Sequence, residues 1–158
     1  MQHRFAWLAD ALPDTYKRAE RARKQFGDDD PRIVPSLAAL ANRLLRQQKY
    51  VPAQALLREC LALCLKKQAN KWTTFQAKAL LGKALLGQKK YAEAEPLLLQ
   101  GHEGLKQHEA AMPAQVRLLC LTNAVQYLVE LYAGWGSSEK AAPWQKKLEE
   151  MKGSKWLK

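Results

Sequence analysis

The chain has 158 residues, is 47% hydrophobic and carries a formal net charge of +11. That is enough apolar side chain for one core, with no room for an added catalytic domain. No run of about 18 apolar residues could cross a membrane, and Met1-Gln2-His3-Arg4-Phe5 lacks the apolar stretch of a secretory signal. The three cysteines, Cys60, Cys64 and Cys120, all fall in helical apolar patterns and suit a reducing cytoplasm rather than a disulfide framework.

Apolar residues recur at helical spacing throughout, with no sustained alternation to support a strand. A first helix is predicted over about 9–26, with Pro13 tolerated in its opening turn because no intrahelical N–H bond is lost there. Gly27-Asp28-Asp29-Asp30-Pro31 ends it, the glycine supplying a cap and the proline starting the next helix. Helices are then predicted at 32–47, 51–67, 73–87, 91–108, 114–134 and 138–152. Pro52, Pro96 and Pro143 read as first-turn prolines, and residues 153–158 as a frayed tail.

The elements repeat. Tyr50-Val-Pro-Ala53-Gln-Ala-Leu-Leu57 returns as Tyr91-Ala-Glu-Ala94-Glu-Pro-Leu-Leu98, 41 residues later. Ala94-Glu95-Pro96 recurs as Ala141-Ala142-Pro143 and as Ala11-Leu12-Pro13. Upstream, Leu40-Ala41-Asn42-Arg43-Leu44-Leu45 matches Leu81-Gly82-Lys83-Ala84-Leu85-Leu86. A two-helix unit at this period predicts an all-α solenoid, one domain over 9–152. It holds helix pairs at 32–67, 73–108 and 114–152, preceded by the second helix of a truncated unit. Small residues at Ala41/Gly82 and at Ala53/Ala94/Ala141 are expected at close helix crossings. Residues 1–8 then read as the remnant of a lost helix, with Phe5, Trp7 and Leu8 folding over the bared face or a second molecule covering it.

Gln48-Lys49-Tyr50-x-x-Ala53, Gln88-Lys89-Lys90-Tyr91-x-x-Ala94, the small residue at Ala41/Gly82 and the Gly27-x-Asp29-x-Pro31 connector resemble the tetratricopeptide repeat in its longer, kinesin-light-chain-like form. The stretches from Trp72 to Gly101 and from Leu128 to Gly136 are similar to repeat arrays attached to planctomycete-type bacterial serine/threonine protein kinases. No kinase Gly-rich loop, His-Arg-Asp or Asp-Phe-Gly is present. The resemblance implies a right-handed superhelix whose first helices line a concave, partner-binding face. In the family register Asn42, Lys83 and Glu130 share one level, with Ala38, Ala79 and Gln126 a turn earlier and Arg46 and Asn123 flanking. The expectation is a non-enzymatic interaction module or scaffold that binds a protein or an extended acidic peptide through these residues. Family repeats often carry Leu-Asn-Asn-Leu-Ala where this chain has Leu37-Ala38-Ala39-Leu40-Ala41.

Charge supplies the alternative. Residues 31–71 hold eight basic side chains against Glu59 alone, whereas residues 1–30 balance at zero. A basic solenoid of this kind could attract nucleic acid, although no base-stacking aromatics interleave with the charges. Chemistry is not indicated elsewhere, and no cofactor or metal is expected. Cys60 and Cys64 are four apart on one helix but lack further ligands nearby, and His102 and His108 are off the i,i+4 spacing. Glu93/Glu95 and Glu149/Glu150 do not face one another. Trp72, Trp135 and Trp144 read as a capping cluster.

Overall fold

The computed structural model describes residues 7–67 and 70–156, the side chains of Ala11 and of 154–156 excepted. The chain divides into two compact units at Asn70–Lys71. The first holds α1 (Leu8–Ala11), α2 (Pro13–Phe26), a 3-10 turn (Pro31–Ile33), α3 (Val34–Arg46) and α4 (Tyr50–Lys67). The second holds α5 (Trp72–Gly87), α6 (Tyr91–Gln107), a 3-10 turn (Glu109–Ala111), α7 (Ala114–Gly134) and α8 (Ser138–Trp156). Helices that follow one another pack together: α3 with α4, α5 with α6, and α7 with α8. There is no strand among the described residues, so the all-α class holds.

Three turns between paired helices share one geometry. At the end of α3, Lys49 N–H donates to Leu44 C=O (2.8 Å) and Gln48 N–H to Leu45 C=O (3.0 Å). After α5, Lys90 donates to Leu85 (3.0 Å) and Lys89 to Leu86 (2.9 Å). After α7, Ser137 donates to Tyr132 (2.8 Å) and Gly136 to Ala133 (3.3 Å). These are Schellman caps, in which two backward bonds satisfy the last carbonyls of the helix. Each needs one residue at positive φ: Gln48 (60°), Lys89 (61°) and Gly136 (84°). The next helix then starts in the same register, with Ala53, Ala94 and Ala141 N–H bonded to the carbonyls of Lys49, Lys90 and Ser137. The 41-residue period read from side chains is therefore a backbone period too.

Pro52 is the third residue of α4 and lies in its first turn as expected, but two other prolines do not. Pro96 and Pro143 are the sixth residues of α6 and α8 and lie inside those helices, not in their first turns. At the equivalent place in the first copy the chain breaks. Leu12 adopts φ −137°, ψ 65°, because a residue before proline is pushed out of the α region. The single helix expected at 9–26 is consequently α1 plus α2, with Pro13 at the first position of α2. Helix α8 runs on to Trp156, so the frayed tail expected from 153 is helical for its first four residues. Residues 157–158 lie outside the described set.

The first unit's core is the apolar stripe of α3 (Leu37, Leu40, Ala41, Leu44) against Ala53, Leu57, Cys60 and Cys64 of α4, all fully or nearly fully buried. Gly27 ends α2 at φ 88°, ψ 162°, a conformation open to glycine almost alone. Asp30 accepts the Arg32 N–H at 2.9 Å to start the next turn. In the second unit α5 and α6 approach closely on glycines from both sides. A Cβ on Gly82 would stand 2.6 Å from Leu98, and one on Gly101 would stand 2.9 Å from the backbone N of Ala79. One on Gly104 would overlap the Phe75 ring. Leu105, Met112, Cys120 and Ala124 continue this core toward α7, covered by Trp72 and Phe75.

Candidate functional site

In the second unit the structure brings together three of the residues expected to bind a partner. Lys83 on α5 reaches α7 and donates to Glu130 Oε2 at 2.8 Å, with its ammonium 5.3 Å from the Tyr127 ring centre. Gln126, one turn before Glu130 on the same helix face, donates to Glu130 Oε1 at 3.4 Å. The Lys83 charge is thus matched within the chain. The pair is half-exposed, so it offers a held donor and acceptor rather than a bare cation.

Asn123 precedes Gln126 by three residues and is half-buried. Leu119, 58% exposed, extends the row by a further turn. Leu119, Asn123, Gln126 and Glu130 are spaced 4, 3, 4, so they form one stripe on α7. Sequence reading missed Leu119 because a leucine in a helix defaults to core; its i,i+4 relation to Asn123 was the available signal. Ala79, expected a turn before Lys83, is buried beneath Gly101 and is not part of the open surface. In the first unit Asn42 is half-buried and Arg46, one turn on, is exposed; both belong to α3.

The other chemistry-bearing residues are built into the fold. Cys60, Cys64 and Cys120 are buried and not disulfide-bonded, and burial pushes the Cys60 and Cys120 thiols upward. No group of three or more metal-binding side chains occurs among the described residues. His102 is 5% exposed, edge-on to Trp144 at 4.9 Å. Burial, then the nearby Lys147 ammonium, lowers its pKa to about 4. His108 is turned to its own helix, Nδ1 lying 2.8 Å from Gly104 C=O. The Tyr132 hydroxyl donates to Glu95 Oε2 at 2.8 Å, and burial with this bond raises its pKa to about 12. The tryptophans do not form the expected capping cluster. Trp72 covers the α6–α7 core, Trp135 stacks on Tyr91 at 6.0 Å and Trp144 meets His102.

The first unit contains a cleft of about 650 Å³ that no sequence motif announced. Leu37 and Leu40 of α3 form its floor, while α2 and α4 form its walls. The guanidinium of Arg23 crosses from α2 to α4 and donates to both carboxylate oxygens of Glu59, at 2.6 and 2.9 Å. Leu8 closes the end where α2 begins, and Asp28 and Asp29 follow the end where α2 stops. Leu8 is 1% exposed, so this part of the N-terminal segment does fold over the apolar face. Trp7 stays 41% exposed beneath the Lys49 ammonium, 4.7 Å from its ring centre. Phe5 lies outside the described residues.

The chain matches no model of a known protein family, and no curated protein sequence matches it.

Proposed function

We propose that the chain is a protein-interaction module of tetratricopeptide type, and that it holds an extended polypeptide on the stripe formed by Leu119, Asn123, Gln126 and Glu130 with Lys83. The observation that carries this reading is the threefold recurrence of one Schellman turn between paired helices, in register with the repeated Ala53, Ala94 and Ala141. Successive helix pairs, each closed by the same turn, can offer more surface than one pair provides, which is the use such arrays have. The stripe has the composition of a peptide-binding face. Side-chain amides of Asn123 and Gln126 can both donate to and accept from an extended backbone. Lys83–Glu130 fixes polarity, and Leu119 gives an apolar side chain somewhere to land.

Lys83 is already paired, so acidity of the ligand matters less than its extended backbone. A peptide selected from a random library on the intact protein tests the reading. Its affinity should fall at least tenfold in Gln126→Ala/Asn123→Ala, with helical content unchanged by circular dichroism. Undiminished binding in that double variant would remove the stripe as the site.

A further inference from the structure

We propose that the cleft of the first unit binds a small amphiphilic cation, its apolar body against Tyr16, Ala55 and Ala62 and its ammonium or guanidinium head among the carboxylates that border the cleft. This rests on the cleft alone and stands or falls apart from the peptide stripe of the second unit.

Size and lining select a small molecule. About 650 Å³ lies in the ordinary range for small-molecule sites, which are mostly apolar with a few placed polar groups. The length of α4 that lines it, Ala55 to Leu63, is only about 12 Å at 1.5 Å per residue, too short to seat a partner helix along several turns. Leu37, Leu40, Ala19, Leu56 and Leu63 are nearly fully buried beneath the cleft, and the open apolar surface comes from the half-buried Tyr16 and Ala55 and the exposed Ala62. These side chains leave space between α2 and α4 that neither helix fills.

Charge selects the sign. Six ionised residues line the cleft, the carboxylates Glu20, Asp28, Asp29 and Glu59 against the guanidiniums Arg23 and Arg58, so the lining carries −2. The whole chain carries +11, which makes this an acidic site on a basic protein. Three of the four carboxylates crowd a single cation. Arg23 reaches Glu59 at 2.6 Å, Asp28 at 3.2 Å and Glu20 at 3.9 Å. Asp29 has no ion-pair or hydrogen-bond partner among the described residues, and with both guanidiniums counted the lining still holds two carboxylates in excess. A ligand cation takes up part of that excess, and an apolar body attached to it fills the cleft. An anionic amphiphile would meet the same carboxylates and be repelled.

Three eight-carbon probes that share a tail and differ in the head separate the contributions: n-octylammonium, octanol and octanoate, each titrated into the intact protein below its aggregation threshold. Binding is followed by backbone amide chemical shifts. Octylammonium should bind at least tenfold more tightly than octanoate and more tightly than octanol, with shifts concentrated in α2, α3 and α4. Glu20→Gln/Asp29→Asn, which removes two of the four lining carboxylates, should abolish the preference for octylammonium over octanol while leaving octanol binding in place. Ala62→Phe, which fills the cleft, should weaken octylammonium and octanol alike. Equal or better binding of octanoate, retention of the preference in the charge variant, or shifts confined to α5–α8 would each overturn the assignment.

Discussion

At single positions, glycine shows how packing decides the sign of one substitution. Gly→Ala inside a helix ordinarily gains about 0.8–1.0 kcal/mol. At Gly153 nothing lies within 4 Å of a new Cβ, and the full gain is expected. At Gly82 the neighbours are Cδ2 and Cγ of Leu98 at 2.6 and 2.7 Å, with its backbone N at 3.3 Å. Leu98 is fully buried, so repacking consumes the helix gain and Gly82→Ala should fall between Gly153→Ala and Gly101→Ala. At Gly101 the neighbours are backbone atoms of Ala79 and Phe75 at 2.9 and 3.0 Å, which cannot yield without moving α5. Gly101→Ala should therefore destabilise by about 1–3 kcal/mol. Urea unfolding of the three variants checks the order, and Gly101→Ala matching Gly153→Ala would refute the close crossing. The smallness of Gly82 was legible in the repeat; that of Gly101 was not, because the residue in register with it, Cys60, is merely small. His102 adds a pH effect. Its folded pKa of about 4 lies below the ordinary 6.5, so the unfolded chain binds a proton that the folded chain refuses. Stability is fully present above pH 6.5 and falls as pH drops from 6.5 to 4, by an amount on the order of 2–3 kcal/mol. The difference between wild type and His102→Phe should carry that slope in urea titrations at several pH values. Parallel curves would show that His102 protonates freely in the folded state.

Among the helices, Pro96 and Pro143 depart from the first-turn placement that Pro52 keeps. A proline in the first turn loses nothing, whereas the sixth residue of a helix has an N–H that should bond four residues back. Pro96 therefore leaves the Ala92 carbonyl without its helical partner. Both residues are exposed, which lets water take the bond. Pro96→Ala should stabilise the protein by roughly 1–3 kcal/mol, read as a higher denaturation midpoint. No change would mean that α6 already bends to relieve the clash. The same chemistry explains the break at Leu12. There the helix gives way before Pro13, whereas α6 and α8 hold theirs. Proline rules applied to the sequence weighed the proline and not the residue before it. Helix α7, with no proline inside it, runs from 114 to 134 as the apolar spacing predicts.

Over the chain as a whole, charge is the property that no single helix determines. Arg32 is bound to Asp30 and Glu59 is taken by Arg23. Arg43, Arg46, Lys66, Lys67 and Lys71 are exposed, with no acidic residue other than Glu59 between positions 31 and 71. Self-repulsion of this kind is screened when the Debye length falls from about 30 Å at 0.01 M salt to about 8 Å at 0.15 M. The melting midpoint should rise by a few degrees over that range; a fall would place attractive ion pairs above repulsion in the balance. The class of fold, the repeat and most helix limits were legible because each rests on spacing within one segment. Lys83, Gln126 and Glu130 were legible as neighbours through the register. The cleft was not. Its floor and walls come from α2, α3 and α4, and the space between them depends on how far apart α2 and α4 stand over α3, which no local pattern records.

The recurring turn has a consequence for how such a gene can change. Gln48 and Lys89 occupy the same backbone state and are followed by the same hydrogen bonds. A tandem copy of the coding segment from Lys49 to Lys89 would join Lys89 to Lys49 at a junction geometry the protein already contains. Such a chain could therefore lengthen or shorten by whole helix pairs through unequal recombination, with no new loop to invent. The third turn tolerates a different stride: α7 has 21 residues where α5 has 16, and the turn after it keeps the same two bonds. What is inherited intact is the joint, while the helices on either side are free to drift in length and surface.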